Sequence, residues 1–181
     1  NSLIDYIEWI APSLSNQTFE IILITKAEHL DENKTFISDI YEQVKSLDNI
    51  WSEEIKNNEY IRVKFEKNLT SNNDITIFPR IINGNPKIEI YEIDSQNLIA
   101  EFSSLTSNRY NQVFLNNLQN SQDTFDLKIK EGSLELDHIV DPAITNVLLP
   151  SSKTQNVTIG IFTKNTYTFQ NISNIADNCY T

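Results

Sequence analysis

From about residue 60 onward, apolar and polar side chains alternate, the period of strands that bury one face. In EYIRVKFEKNL, Ile61, Val63 and Phe65 share one face, with Arg62, Lys64 and Glu66 on the other. The same alternation predicts strands in DITIFPRI at 74–81, PKIEIYEID at 86–94, LIAEF at 98–102 and YNQVFL at 110–115. TFDLKIK at 124–130 and SLELDHIV at 133–140 complete a run of seven. They recur about every 10–13 residues with turn residues between them, the spacing of an antiparallel sandwich. FEIILITKA at 19–27 is apolar enough for a fully buried strand. Phe36, Ile37, Ile40, Tyr41, Val44 and Leu47 fall at steps of three and four, which predicts one helix over 35–47, with Asn33 or Thr35 as its cap. The expected fold is all-β: an antiparallel β-sandwich, jelly-roll or immunoglobulin-like, with one short α-helix.

Three segments follow from this pattern. Residues 19–142 form the sandwich, which Asp141-Pro142 stops. Residues 1–18 make an apolar arm, in which Leu3, Ile4, Tyr6, Ile7, Trp9 and Ile10 are interrupted only by Asp5 and Glu8. Left in water such an arm invites aggregation, so it is expected to dock. Residues 143–181 carry extra strands in ITNVLLP, NVTIGIF and TYTFQNI. Three strands bury too little to stand alone, so they begin a second immunoglobulin-like module or act as a strand-exchange tail.

Composition sharpens the compartment more than the chemistry. With 14 Lys+Arg against 25 Asp+Glu the net charge is −11, which argues against nucleic acid and against anionic membrane surfaces. No run approaches the roughly 18–20 apolar residues of a membrane span. The chain opens Asn1-Ser2-Leu3 and holds no Met, which fits a cleaved export signal. The single cysteine, Cys179, has no partner for an internal disulfide. Only 3 Gly stand against 23 Asn, so Asn is expected to supply the turns, as in Asn57-Asn58, Asn72-Asn73, Asn116-Asn117 and Asn83-Gly84-Asn85.

With Gly84, Gly132 and Gly160 alone, no phosphate loop, dinucleotide fingerprint or nucleophile elbow can be written. His29 and His138 are not at ligand spacing. No enzymatic activity and no cofactor are expected. The one metal pattern is EF-hand-like: Asp31, Asn33, Thr35, Asp39 and Glu42 stand at positions 1, 3, 5, 9 and 12. Phe36 occupies position 6, where that loop needs Gly, and the segment reads better as an acidic helix start. Glycosylation sequons begin at Asn16, Asn33, Asn68, Asn156 and Asn171, against roughly four expected by chance. Sugar rings could stack on Trp51, Tyr60, Tyr91 or Tyr110, with Arg80 or Arg109 as polar partner, although strand aromatics more often fill a core.

Residues 21–142 carry the succession ITKAEHLDENKTFISDIYEQVKSLD, WSEEI, EYIRVKFEKNLTSNNDITIFPRI, PKIEIYEID, LIAEF and QDTFDLKIKEGSLELDHIVDP. It resembles a repeated β-sandwich module of large uncharacterised archaeal cell-surface proteins. TFDLKI and SLELDHIVDP are also similar to strands of jelly-roll carbohydrate-binding domains. The resemblance implies an exported, often glycosylated, multi-domain surface protein, and it carries no catalytic residues. The function expected from it is a structural subunit of an extracellular filament, stalk or surface layer with an adhesive role. Subunits would associate with their neighbours by strand addition, the arm or the C-terminal strands pairing with an open sheet edge. The rival expectation is a carbohydrate-binding module of a cell-surface protein, with glycans as partners.

Overall fold

The computed structural model describes residues 21–142 with their side chains, and the backbone of four further strands within residues 6–11, 18–19, 155–160 and 167–168. In chain order the elements are β1 (Tyr6–Ala11), β2 (Thr18–Phe19), β3 (Ile22–Leu30), β4 (Phe36–Asp39), α1 (Tyr41–Val44), β5 (Tyr60–Leu69) and β6 (Asp74–Glu92). They continue with β7 (Leu98–Phe102), β8 (Asn111–Phe114), β9 (Gln122–Asp141), β10 (Gln155–Gly160) and β11 (Tyr167–Thr168).

These elements form two units, one from the two ends of the chain and one from Ile21–Ala143. In the first, β1 pairs antiparallel with β10, setting Ile7 opposite Ile159 and Trp9 opposite Val157. β2 pairs antiparallel with β11. The arm and the C-terminal strands, read separately from the sequence, thus meet within one chain. The predicted strand ITNVLLP lies outside the described residues.

The second unit is antiparallel throughout, and its sheet runs in the order β4-β3-β5-β9-β6-β7, with β8 beside β6. The all-β expectation holds. Two long strands carry it. β6 and β9 pair from Thr76 opposite Val140 to Glu92 opposite Phe125. Three register shifts, at Phe78/Pro79, Ile81/Asn83 and Gly84/Lys87, bend the pair so that each strand serves two neighbourhoods. The first half of β6 binds β8 and the second half binds β7. The first half of β9 binds β5, and its last residues, Val140 and Asp141, bind Leu23 and Ile22 of β3.

The bend folds both halves around one core. Ile75 and Ile77 from the first half of β6 belong to the same buried cluster as Ile88 and Ile90 from its second half. Leu127 and Ile129 meet Leu136 and Ile139 of β9 in the same way, with Phe65 and Phe125 packed edge to face at 6.0 Å. Burial of this apolar surface is what drives the sheet to fold back. At the bend, Gly84 takes φ +71, and a side chain there would strike the Glu131 carbonyl. Gly132, directly opposite, has no room for a Cβ beneath the Asn83 carbonyl.

Several expectations need correction. The strands at 74–81 and 86–94 are one strand, as are those at 124–130 and 133–140, because Asn83-Gly84 and Gly132 form a bulged corner rather than two hairpins. The helix over 35–47 is not formed. Residues Phe36–Asp39 instead extend the open edge of β3, with His29 opposite Ser38, and only the short α1 follows. Phe36 is 57% exposed and Ile37 44%, so pairing with the edge outweighs the helical spacing of these side chains. Neither Asn33 nor Thr35 caps a helix. The Asp31 carboxylate accepts both of their backbone amides at 2.8 Å, shaping a turn. β3 is half-buried, with Leu23, Thr25 and Lys26 facing solvent. Asn does supply turns, since Asn49, Asn58 and Asn108 hold positive φ, but Lys34, Asp94 and Glu131 do so too.

Candidate functional site

Beyond Lys128, β9 no longer has β5 along its edge, and its backbone needs other partners. The segment after α1 supplies them. Ser52 donates its amide to the Leu136 carbonyl at 2.8 Å, and its hydroxyl accepts the Leu136 amide at 2.9 Å. Ile55 makes a two-way bridge with Leu134. The fully buried Asp137 carboxylate accepts the Asn49 amide at 3.1 Å and the Asp48 amide at 3.3 Å. These contacts pin residues 48–55 against β9 and hold Trp51 over the strand pair.

On the other edge of β6 the loop before β8 is held as firmly. The Asn108 amide donates to the Pro79 carbonyl at 2.7 Å, and the Ile81 amide donates to the Ser107 hydroxyl at 3.0 Å. Asn111 closes the loop by donating to the carbonyls of Thr106 and Arg109. Tyr110 is thereby set beside Phe78.

Four half-exposed side chains form a continuous ladder across this face: Arg80, Trp51, Phe78 and Tyr110. The Arg80 guanidinium carbon lies 4.3 Å from the Trp51 ring centroid. Trp51 and Phe78 are 6.0 Å apart and tilted by 40°, and Phe78 meets Tyr110 edge to face at 5.1 Å. Tyr110 continues to His138 at 6.0 Å, where its hydroxyl and Nδ1 share a 3.1 Å hydrogen bond. Burial pushes the His138 imidazole down to about 4 against the opposing pull of Asp48, so it is neutral at physiological pH. At the other end, Glu135 fixes Arg80 by accepting from Nε at 2.8 Å and from a terminal nitrogen. The Arg80 side chain is still 41% exposed and Glu135 19%.

Of the sugar-contact candidates, the structure brings together Trp51, Tyr110 and Arg80, and leaves Tyr91 out. Tyr91 lies on the far half of β6, where its hydroxyl donates to Glu89 at 2.8 Å; burial and then Glu89 push it up to about 12. Tyr60 is buried beneath Lys34 and Lys128. Phe78, Glu135 and His138 were missed from the sequence. The available signal was FPR, in which alternation sets Phe78 and Arg80 on one side of a strand.

The remaining candidates are dispersed. Asn33 and Asn68 are exposed, the first in the turn before β4 and the second near the end of β5. The side chains of Asn16, Asn156 and Asn171 lie outside the described residues, as do those of Tyr6, Ile7, Trp9 and Ile10 in β1 and all of Leu3 and Ile4. The calcium pattern does not converge. Asp31 serves the amides of Asn33 and Thr35, Asp39 accepts the Tyr41 amide, and Glu42 pairs with Lys45 at 2.6 Å. Among the described residues no three His, Cys, Asp or Glu side chains are grouped to hold a metal ion.

Chemically, the ladder offers flat apolar ring surface bordered by a guanidinium and a carboxylate whose geometry is already fixed. Such a surface can stack the C–H face of a sugar ring while the charged pair meets its hydroxyls. Compared with protein-family models, curated proteins and solved structures, the chain matches none.

Proposed function

We propose that the protein is a carbohydrate-binding module of an exported cell-surface protein and acts by binding, without catalysis. The observation that carries this reading is the Arg80–Trp51–Phe78–Tyr110 ladder, half-exposed and pinned from both edges of β6. Because Glu135 offsets the charge of Arg80 and the chain carries −11 overall, the ligand is a neutral oligosaccharide rather than an acidic one. The likeness to archaeal surface modules supports the same setting, and the exposed Asn33 and Asn68 would be its glycan acceptors. A glycan array probed with the full chain tests the reading. Saturable retention on neutral glycans supports it; retention on none removes it.

A second reading is favoured by the outer strand β4, which among the described residues pairs only with β3 and leaves Phe36 and Ile37 exposed. In that reading the protein is a structural, adhesive subunit whose neighbours add strands along this edge. Electron microscopy of the full chain separates the two: fibres or sheets that disappear in Ile37→Lys support assembly, and single particles exclude it.

A further inference from the structure

Two carboxyl groups lie buried together where β3 begins and β9 ends. Asp74 and Asp141 are both essentially inaccessible to solvent, and Asn73, the residue before Asp74, donates to Asp141, which sets the two carboxyls beside each other. Asp74 Oδ2 accepts from the Thr76 hydroxyl and from Gln112 Nε2, each at 2.9 Å. Asp141 Oδ2 accepts from Asn73 Nδ2 at 2.8 Å, whereas Asp141 Oδ1 has no donor. Two buried carboxylates side by side repel and neither can donate, so a bond between them would need a proton on one. The orphaned Oδ1 is where that proton fits.

We propose that Asp74 and Asp141 form a shared-proton clasp that closes the end of the sandwich where the chain enters and leaves, and that the clasp opens as the solution becomes alkaline. Asp141 pairs with Ile22, and its neighbour Val140 pairs with Leu23, so the clasp sits on the first and last strand residues of this unit. Among the described residues, the groups shown against it are neutral: Thr76 from β6, Asn73 from the preceding turn, Gln112 from β8, and Ile22 and Leu23 from β3. The charged side chain shown against the start of β3 is another carboxylate, Glu66 of β5, which accepts the Leu23 amide at 3.3 Å. Burial first, and the Asp74 charge second, push Asp141 up to about 8; burial also raises Asp74. A raised value means the clasp contributes fully below the ordinary carboxyl range near 3.8 and that its contribution is lost as pH rises through about 8. Beyond that point two like charges face each other in a buried site.

Thermal melting of the full chain and of Asp141→Asn, from pH 4 to pH 9, tests the clasp. Asparagine copies the protonated carboxyl and donates to Asp74 at any pH. The variant should therefore melt close to the wild type at pH 4 and about 5 °C or more above it at pH 9. A difference that does not change with pH overturns the proposal. Carbon-13 titration of the wild-type carboxyls needs no variant: one aspartate should titrate near neutrality or above, and two ordinary acidic titrations would refute the clasp. A rise in wild-type melting temperature on adding millimolar calcium at pH 5 would also overturn it, by putting a cation in the proton's place.

Discussion

Arg80 lays its guanidinium over the indole of Trp51, with 4.3 Å between the guanidinium carbon and the ring centroid. Glu135 holds the guanidinium from the side, so the stack is fixed before any ligand arrives. Preorganisation of this kind lowers the ordering cost of binding. The stack is half in solvent, where a cation–π contact is worth only about 0.5–1 kcal/mol. Arg80→Gln should thus lower stability by no more than about 1 kcal/mol in urea unfolding, while weakening oligosaccharide binding at least tenfold. A large loss of stability with binding intact would show that the stack is scaffold, not site.

A different cluster sets the response to acid. The inaccessible Asp126 carboxylate accepts from Arg62 Nε at 2.7 Å and pairs with Lys34 Nζ at 2.8 Å. Burial by itself would raise Asp126, but Arg62 and Lys34 outweigh it and hold the group below its usual range. A lowered value stabilises the fold above the unfolded value of 3.8 and is lost as pH falls through the folded one. The neutral His138 acts in the same direction, its contribution present above 6.5 and lost as pH falls through about 4. These two groups should therefore withdraw stability in two steps as pH falls, His138 between about 6.5 and 4 and Asp126 below 3.8. Asp126→Asn should cost about 3 kcal/mol at pH 7, since it leaves two cations beside an uncharged amide, and should flatten the acid limb of the melting curve.

The bulged corner makes a third prediction. Gly84→Ala forces a side chain into positive φ and against the Glu131 carbonyl, and should cost about 2 kcal/mol or more. An asparagine side chain tolerates such a dihedral but would meet the same carbonyl, so Gly84→Asn should be no better than alanine by chemical denaturation. If both substitutions were neutral, the close approach of Gly84 to the Glu131–Gly132 backbone would be wrong.

The alternation of Ile61, Val63 and Phe65 shows in the sequence because this part of β5 buries a single face, whereas β9 from Leu136 to Asp141 is buried on both. Where strands merge or change, local pattern cannot decide. Asn83-Gly84-Asn85-Pro86 has the chemistry of a hairpin turn, and only its alignment with Ser133 and Gly132 across β9 makes it a bend in one strand. Phe36, Ile37 and Ile40 suit a helix equally well, and the open edge of β3 that recruits Phe36–Asp39 is a tertiary fact. The ladder is legible to the extent that Phe78 and Arg80 alternate along one strand. Trp51 and Tyr110 reach it from loops whose places are set by backbone bonds to Leu136 and Pro79, far away in sequence.

The binding role is tested most directly at Trp51 itself. Proton–nitrogen spectra of the full chain carry one indole resonance for Trp9 and one for Trp51, each assignable by substitution with phenylalanine. Titration with neutral oligosaccharides should shift the Trp51 indole saturably and leave the Trp9 indole in place, with the effect weakened at least tenfold in Tyr110→Ala. Spectra in which the Trp51 resonance stays fixed through millimolar additions of every neutral oligosaccharide would contradict the account.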